Sequence, residues 1–298
     1  IGLEVIRKPH EVLYNDLMIK SNTLEEKLAE LKRKNEEDEI KKELLANISH
    51  EFKTPVNVIY SAIQMQDLKR DCNDINEILK FNSIIKQNCY RLIRLIDNFI
   101  DSSKLTEQDY KLKLKCLNIV SIVENTTMSI LSYAEMRGIE VVFDTEEEEF
   151  FVLADKDLIE RGILNILSNS IKYNKENGMI NVFVGARGKN IIVEIQDTGI
   201  GIPKEKQKYI FNRYERIKAS KGAYKEGSGL GLNIVKEIVN KFNGEIKLES
   251  EEGVGTKITL IIPKVEYDEE IYEAYYDDFN LKNDIMQKVD LEMSDICS

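Results

Sequence analysis

The chain has 298 residues, 42 % of them apolar and 32 % charged, with a formal net charge of -11. That length supports one large domain or two modest ones, and the acidic balance argues against a general nucleic-acid surface. No apolar run approaches the roughly 18–20 residues of a bilayer span, and Cys72, Cys89, Cys116 and Cys297 have no CxxC or Cys/His spacing, which argues against a metal knot or disulfide framework and for a reducing compartment.

The charge is uneven. From Lys264 to Ser298 there are 11 Asp or Glu against 3 Lys, a net -8, and the remainder is close to neutral. The sequence starts at Ile1 rather than Met. The expectation is therefore a fragment, and whatever precedes it, a membrane anchor or sensor included, is not in this chain.

From about Asn22 the composition turns to Glu, Lys and Leu, with no Gly or Pro until Pro55. Leu24, Leu28 and Leu31 follow a coiled-coil seam, the next seam positions are Asn35, Asp38 and Lys42, and the apolar stripe resumes on another phase at Ile40, Leu44 and Ile48. That phase change reads as a stutter in a parallel coiled coil, a lever for an upstream signal; a solvated charged helix is the plainer account. The helix continues past Pro55 with a kink. Residues 71–74 read as a turn, Asn and Asp being apt to hydrogen-bond their own backbone. A second helix follows with Ile75, Ile78, Asn82, Ile85, Cys89, Leu92, Ile96 and Phe99 on one stripe. Two helices cannot cover so long a stripe from both sides, so the hairpin is expected to dimerise as a four-helix bundle.

His50 stands in this first segment with Glu51 beside it, Lys53 and Thr54 one turn on, and Pro55 behind. A neutral imidazole can act as nucleophile toward a phosphoryl group while a neighbouring carboxylate orients or deprotonates the ring. Thr54 is spaced to hold a water for the reverse hydrolysis.

After a connector at 105–109 the pattern changes class. Strands are expected at 110–114, 139–143, 151–154, 179–186, 190–196, 245–250 and 256–261, the pair around Arg187-Gly188-Lys189 forming a hairpin. Helices are expected over 118–136, from a cap at Asp155 to about Tyr173, and over 230–242. Helices mixed with mostly hairpin-linked strands imply an α+β two-layer sandwich.

The chemistry of this region is that of a nucleotide site. Asn165 and Asn169, at i and i+4, share a helix face, and Asn169 offers an amide oxygen to Mg²⁺. Lys172 is placed to reach a phosphate. Asp197, directly after a strand, would accept a hydrogen bond from an exocyclic amine such as that of adenine, with Gly199 and Gly201 letting the backbone approach the base. Gly227, Gly229 and Gly231 precede a helix whose first amides can hold a triphosphate. Residues 203–226, with Tyr209-Ile210-Phe211, read as a lid. No first-strand GxGxxG unit and no GxxxxGK[ST] are present, so neither a Rossmann nor a P-loop reading holds.

Residues 40–263 closely resemble the catalytic core of sensor histidine kinases of bacterial two-component systems. Ser49 to Pro55 resembles the phosphoacceptor box, which makes His50 the phosphorylated residue, Glu51 its acid–base partner and Thr54 the position used in dephosphorylating the regulator. Asn165 to Tyr173 resembles the N box, with Asn169 as Mg²⁺ ligand and Tyr173 against the nucleotide. Asp197, Gly199 and Gly201 resemble the first glycine box, Phe211 and Tyr214 the lid box, and Gly227, Gly229, Leu230 and Gly231 the second glycine box. Phe52-Lys53 replaces the commoner Leu-Arg, and Ser228 a frequent Thr.

The resemblance implies an all-α hairpin dimerising as a four-helix bundle, then a Bergerat-type ATP-binding α+β sandwich. It implies ATP and Mg²⁺, a homodimer and a response-regulator receiver. The expected divisions are 1–39 linker and coiled coil, 40–104 dimerisation and phosphotransfer, 105–263 ATP binding, and 264–298 acidic extension. In that extension Tyr267, Tyr272, Tyr275 and Tyr276 form either a short helix or part of a disordered tail. Two other readings stay open: a non-kinase ATPase of the same nucleotide fold, and an ATP-binding signalling dimer acting mainly as a phosphatase.

Overall fold

The computed structural model describes residues 49–68, 75–107, 109–213, 229–267 and 279–295, with single helical positions Met18, Leu24, Lys27, Glu30, Leu31, Lys32 and Ala46 before them; for 279–284 and 295 only the backbone is described. The chain divides into two units, Ile1–Glu51 and Phe52–Ser298. In the first, every described residue is helical, and Leu24 and Leu31, both of the expected seam, are exposed. The rest of that seam, Leu28 to Ile48, lies outside the described residues.

The second unit opens with helix α1 (52–68), which runs through a buried Pro55 without interruption. Helix α2 (Ile75–Lys104) follows; Gln66 Nε2 donates to Asn82 Oδ1 at 2.9 Å and so pins α1 to α2 as a hairpin. The turn expected at 71–74 lies outside the described residues. Within one chain, α2 carries two stripes. Ile75, Ile78, Asn82, Cys89 and Ile96, all on the stripe read from sequence, are exposed, whereas Asn88, Arg94, Leu95, Asn98 and Ser102 are buried. The second stripe packs against helices that come later in the chain.

Beyond it come β1 (Lys115–Asn118), α3 (Ile119–Ser129), α4 (Leu131–Glu135), β2 (Glu140–Thr145), β3 (Phe151–Ala154), α5 (Lys156–Lys172), β4 (Met179–Arg187), β5 (Asn190–Asp197), α6 (Lys204–Gln207), α7 (Gly231–Lys241), β6 (Glu245–Glu251), β7 (Gly255–Pro263) and α8 (Phe279–Glu292). Five strands form one sheet in the order β2-β4-β5-β7-β6, and β1 pairs with β3 in a small second sheet. Strand β4 shows why one face is packed: Ile180, Val182 and Val184 are buried while Asn181 and Phe183 between them are only half-buried. Helices α3, α5 and α7 lie against the sheet, and their apolar faces join its buried residues in one core. The α+β two-layer sandwich is thus the observed fold.

Several boundaries differ from expectation. The strand expected at 110–114 lies instead at Lys115–Asn118, because its register partner is Phe151–Ala154 (Lys115 opposite Ala154), while the Lys113 amide donates to Asp155 Oδ2 at 3.0 Å instead of to a ladder. That bond also explains why Asp155 starts α5 without a side-chain cap. The helix expected over 118–136 breaks at Ile130, which is fully buried. The sheet is mixed, since β2 runs parallel to β4.

The acidic extension holds the largest surprise. Residues 268–278, which include three of its tyrosines, lie outside the described residues, but α8 is a helix whose Ile285 and Val289, with Met293 of the 3-10 turn that follows it, are buried on one stripe in the domain core. Burying three such side chains contributes roughly 5–9 kcal/mol as an upper estimate. Among the described residues no helix is long and apolar enough to cross a membrane.

Candidate functional site

Helix α5 is the spine of the site. Near its middle Asn165 is 2 % exposed and its Nδ2 donates to Arg161 O at 3.0 Å. Its Oδ1 faces the start of α7, where a Cβ on Gly231 would stand 2.7 Å away. Eight residues later Tyr173 O accepts from Ile200 N at 3.0 Å, so the C-terminal end of the helix is joined to the loop after β5. The two junctions are separated by about 12 Å of helix, with Asn169, half-buried, midway between them. Lys172 is 7 % exposed, its Nζ 5.7 Å from the centroid of the Tyr173 ring.

Asp197 closes β5 beside that second junction. Its Oδ1 accepts from Gly199 N at 2.9 Å and Thr256 N at 3.2 Å, and its Oδ2 from Ser170 Oγ at 3.3 Å. Oδ2 keeps lone-pair capacity for a further donor. Burial pushes the carboxyl above the usual carboxylate range, against the pull of those three hydrogen bonds.

The glycines after Asp197 are required by the protein's own backbone. A Cβ on Gly199 would lie 2.4 Å from Tyr173 O, and one on Gly201, whose φ is +67°, would lie 1.9 Å from Glu251 O. The protein's own backbone, from α5 on one side and the β6–β7 hairpin on the other, occupies the space a side chain would need.

At the start of α7, Gly229 has φ +65° and Leu230 is 2 % exposed. No side chain caps this helix, whose first amides are the groups suited to an anion. Gly227 and Tyr214 lie outside the described residues, as does most of the lid. The described root of the lid is tied down: Phe211, half-buried, accepts from Asn233 Nδ2 at 3.1 Å, and Arg213 Nη2 donates to Ser102 O of α2 at 2.5 Å.

The described members of the asparagine and glycine segments therefore gather along α5. Sequence reasoning missed Ser170 and Thr256, which hold Asp197, and Asn233, which holds the lid root. It also missed Arg161, which pairs with Asp101 of α2 and donates to Asn98 Oδ1 at 3.0 Å. Burial pushes the Asp101 carboxyl up even against the Arg161 charge. Only the adjacency of Ser170 to Asn169 could have flagged any of these.

His50 and Glu51 end the first unit. Both are helical, with His50 exposed and Glu51 half-buried. Thr54 belongs to the second unit, helical and half-buried on α1.

Two family matches cover these segments. Residues 40–108 match the His Kinase A (phospho-acceptor) domain, and residues 154–266 match the histidine kinase-, DNA gyrase B- and HSP90-like ATPases. Together they make a sensor histidine-kinase catalytic core. This kinase core is 32 % identical over 263 residues to histidine kinase P4 of Formosa agariphila, covering 86 % of the chain and 19 % of that protein. It is 28 % identical over 239 residues to sensor histidine kinase WalK of Bacillus subtilis, covering 79 % of the chain and 39 % of that protein. The chain thus spans about a fifth and two fifths of the lengths of these relatives. The fold of the kinase core is also that of histidine kinase ThkA, solved in complex with the response regulator protein TrrA, with a TM-score of 0.59, 23 % identity, and 75 % of this chain and 61 % of ThkA covered.

Proposed function

We propose that the chain is an ATP-dependent protein-histidine autokinase that phosphorylates His50 and passes the phosphoryl group to an aspartate of a response regulator. The observation that carries this reading is the joining of the Gly231 segment to the middle of α5 at Asn165 and of the Asp197 segment to its C-terminal end, in a chain that also carries His50 in a phosphoacceptor sequence.

In this reading Asp197 accepts from the adenine amine, Tyr173 and Phe211 flank the nucleotide, and the uncapped start of α7, with Gly227, Gly229 and Leu230 before it, holds the phosphates together with Lys172. The donor set fits Mg²⁺, a hard cation that takes oxygen ligands: Asn169 would hold it through its amide oxygen, beside Asn165. Bound there, Mg²⁺ would neutralise phosphate charge.

A ring nitrogen of His50 attacks the γ-phosphorus, an N–P bond forms as the bond to the ADP oxygen breaks, and Glu51 takes the ring proton. A carboxylate oxygen of the receiver aspartate next attacks phosphorus, the N–P bond breaks, and the imidazole regains its proton. Thr54 holds a water for the reverse hydrolysis.

The exposed stripe of Ile75, Ile78, Cys89 and Ile96 is the surface for a homodimeric four-helix bundle. The divisions at 39–40, 104–105 and 263–264 belong to the same proposal, as does a cytoplasmic core joined to an upstream sensor. ThkA's complex with a response regulator is the precedent for a receiver as partner. Incubation with γ-labelled ATP and Mg²⁺ should give acid-labile, alkali-stable label in the wild-type chain and none in His50→Gln. Label retained in the variant would refute the assignment.

A further inference from the structure

Helix α8 lies beyond both family matches, which end at residues 108 and 266, yet it is wedged between the stem helix α2 and the ATP-binding domain. Toward the domain, Lys288 Nζ binds Asp157 Oδ1 and Glu160 Oε2 of α5, each at 2.9 Å. The Tyr133 hydroxyl donates to Asp290 Oδ1 at 2.5 Å, and Ser168 Oγ to Glu292 O at 3.3 Å. Toward the stem, Arg94 Nη1 donates to Glu292 O at 2.6 Å and pairs with its carboxylate at 3.6 Å. Gln87 Nε2 donates to Ser294 O at 3.0 Å. Val289 and Met293 are fully buried between these polar contacts.

The contacts are built rather than incidental. The Glu160 side chain is 3 % exposed and takes an ammonium from α8, and a carboxylate enclosed to that degree needs a cation at hand. Glu292 is held from both sides, its carbonyl accepting from Arg94 of the stem and Ser168 of the domain. Direct ties between stem and domain run alongside, from Arg161 to Asp101 and Asn98 and from Arg213 to Ser102. A histidine that serves first an ATP-binding domain and then a separate receiver requires that domain to approach and withdraw. A segment fastening domain to stem opposes that motion.

We propose that α8 and the turn after it form an intramolecular latch, which holds the ATP-binding domain against α2 and restrains the phosphoryl relay. This rests on the autokinase reading above. Signals or partners that free α8 would act by releasing the domain.

The test uses the full chain. Lys288→Glu sets a like charge against the exposed Asp157 and the enclosed Glu160, so a mostly latched protein should label His50 at least about fivefold faster at unchanged ATP affinity. The converse variant carries Gln87→Cys and Ser294→Cys in a background lacking Cys72, Cys89 and Cys297, bridged by a reducible bis-maleimide. Labelling should fall at least about tenfold and return on reduction. Equal rates in wild type and in both altered forms would overturn the latch, as would a slower Lys288→Glu. Should Lys288→Glu fail to fold, the bridged form, which only adds a restraint, decides alone.

If no form is labelled although ATP binds, the autokinase reading falls by itself. The latch is then judged by spin labels at Lys86→Cys and Glu245→Cys in the same background. Their distance distribution must broaden in Lys288→Glu, and an unchanged distribution refutes it.

Discussion

Replacing Asp197 by Asn separates a role in the fold from a role in recognition. The side chain keeps its shape, and an amide oxygen at the Oδ1 position can still accept from Gly199 N and Thr256 N, the 2.9 and 3.2 Å contacts. The Ser170 hydroxyl, 3.3 Å from Oδ2, can turn to accept from the new NH₂ instead. The fold should therefore lose no more than about 1 kcal/mol. The nucleotide meets the opposite change, because the position offered to an adenine amine turns from acceptor to donor. Losing a hydrogen bond to a charged group costs about 1.5–3 kcal/mol, so ATP affinity should fall by one to two orders of magnitude. Calorimetric titration with ATP, paired with a urea unfolding curve, reads both quantities. Unchanged affinity would mean that Asp197 does not read the base; a large loss of stability would mean that its work is holding the loop.

Gly201→Ala should destabilise by at least about 2 kcal/mol, from a left-handed φ and a Cβ 1.9 Å from Glu251 O; denaturant midpoints check this. Ile78→Glu with Ile96→Glu, both on exposed positions of α2, should dissociate the homodimer in analytical ultracentrifugation while ATP binding persists. Acid should loosen α8. Burial pushes Asp157 up, but the hydrogen bond and charge of Lys288, with Lys113 and Lys156, bring it below the ordinary 3.8. Its contribution is present above that value and is lost as pH falls through the lower folded value. Around the same helix Glu160, Asp290 against Tyr133, and Glu292 against Arg94 also face the interface. Amide-exchange protection across 285–293, taken relative to the intrinsic rate at each pH, should fall below about pH 4. Asp101 and Asp197, both raised, act with the opposite sign: their contribution is present at low pH and is lost as pH rises through their folded values.

The helices and central strands were legible because their patterns are local. Ile180, Val182 and Val184 alternate, and the stripe on α2 repeats every three or four residues, whatever they pack against. Asn165, Asn169 and Asp197 could be singled out because amide, carboxylate and spacing carry chemistry on their own. Strand β1 was misplaced by a few residues, since its register is set by Phe151–Ala154 more than thirty positions away. Helix α8 was hidden by composition: the spacing of Ile285, Val289 and Met293 is helical, but the surrounding Asp and Glu read as a solvated tail.

By itself, then, the sequence determined the kind of site and the class of fold, because periodicity and side-chain chemistry are properties of short stretches. Only the tertiary structure decided what Gly199 and Gly201 make room for, which hydroxyl and amides hold Asp197, and that the acidic C-terminal helix joins stem to domain. Those depend on contacts between residues far apart in the chain, such as Thr256 with Asp197 and Arg94 with Glu292. Such pairings exist only once the backbone has folded to bring them together.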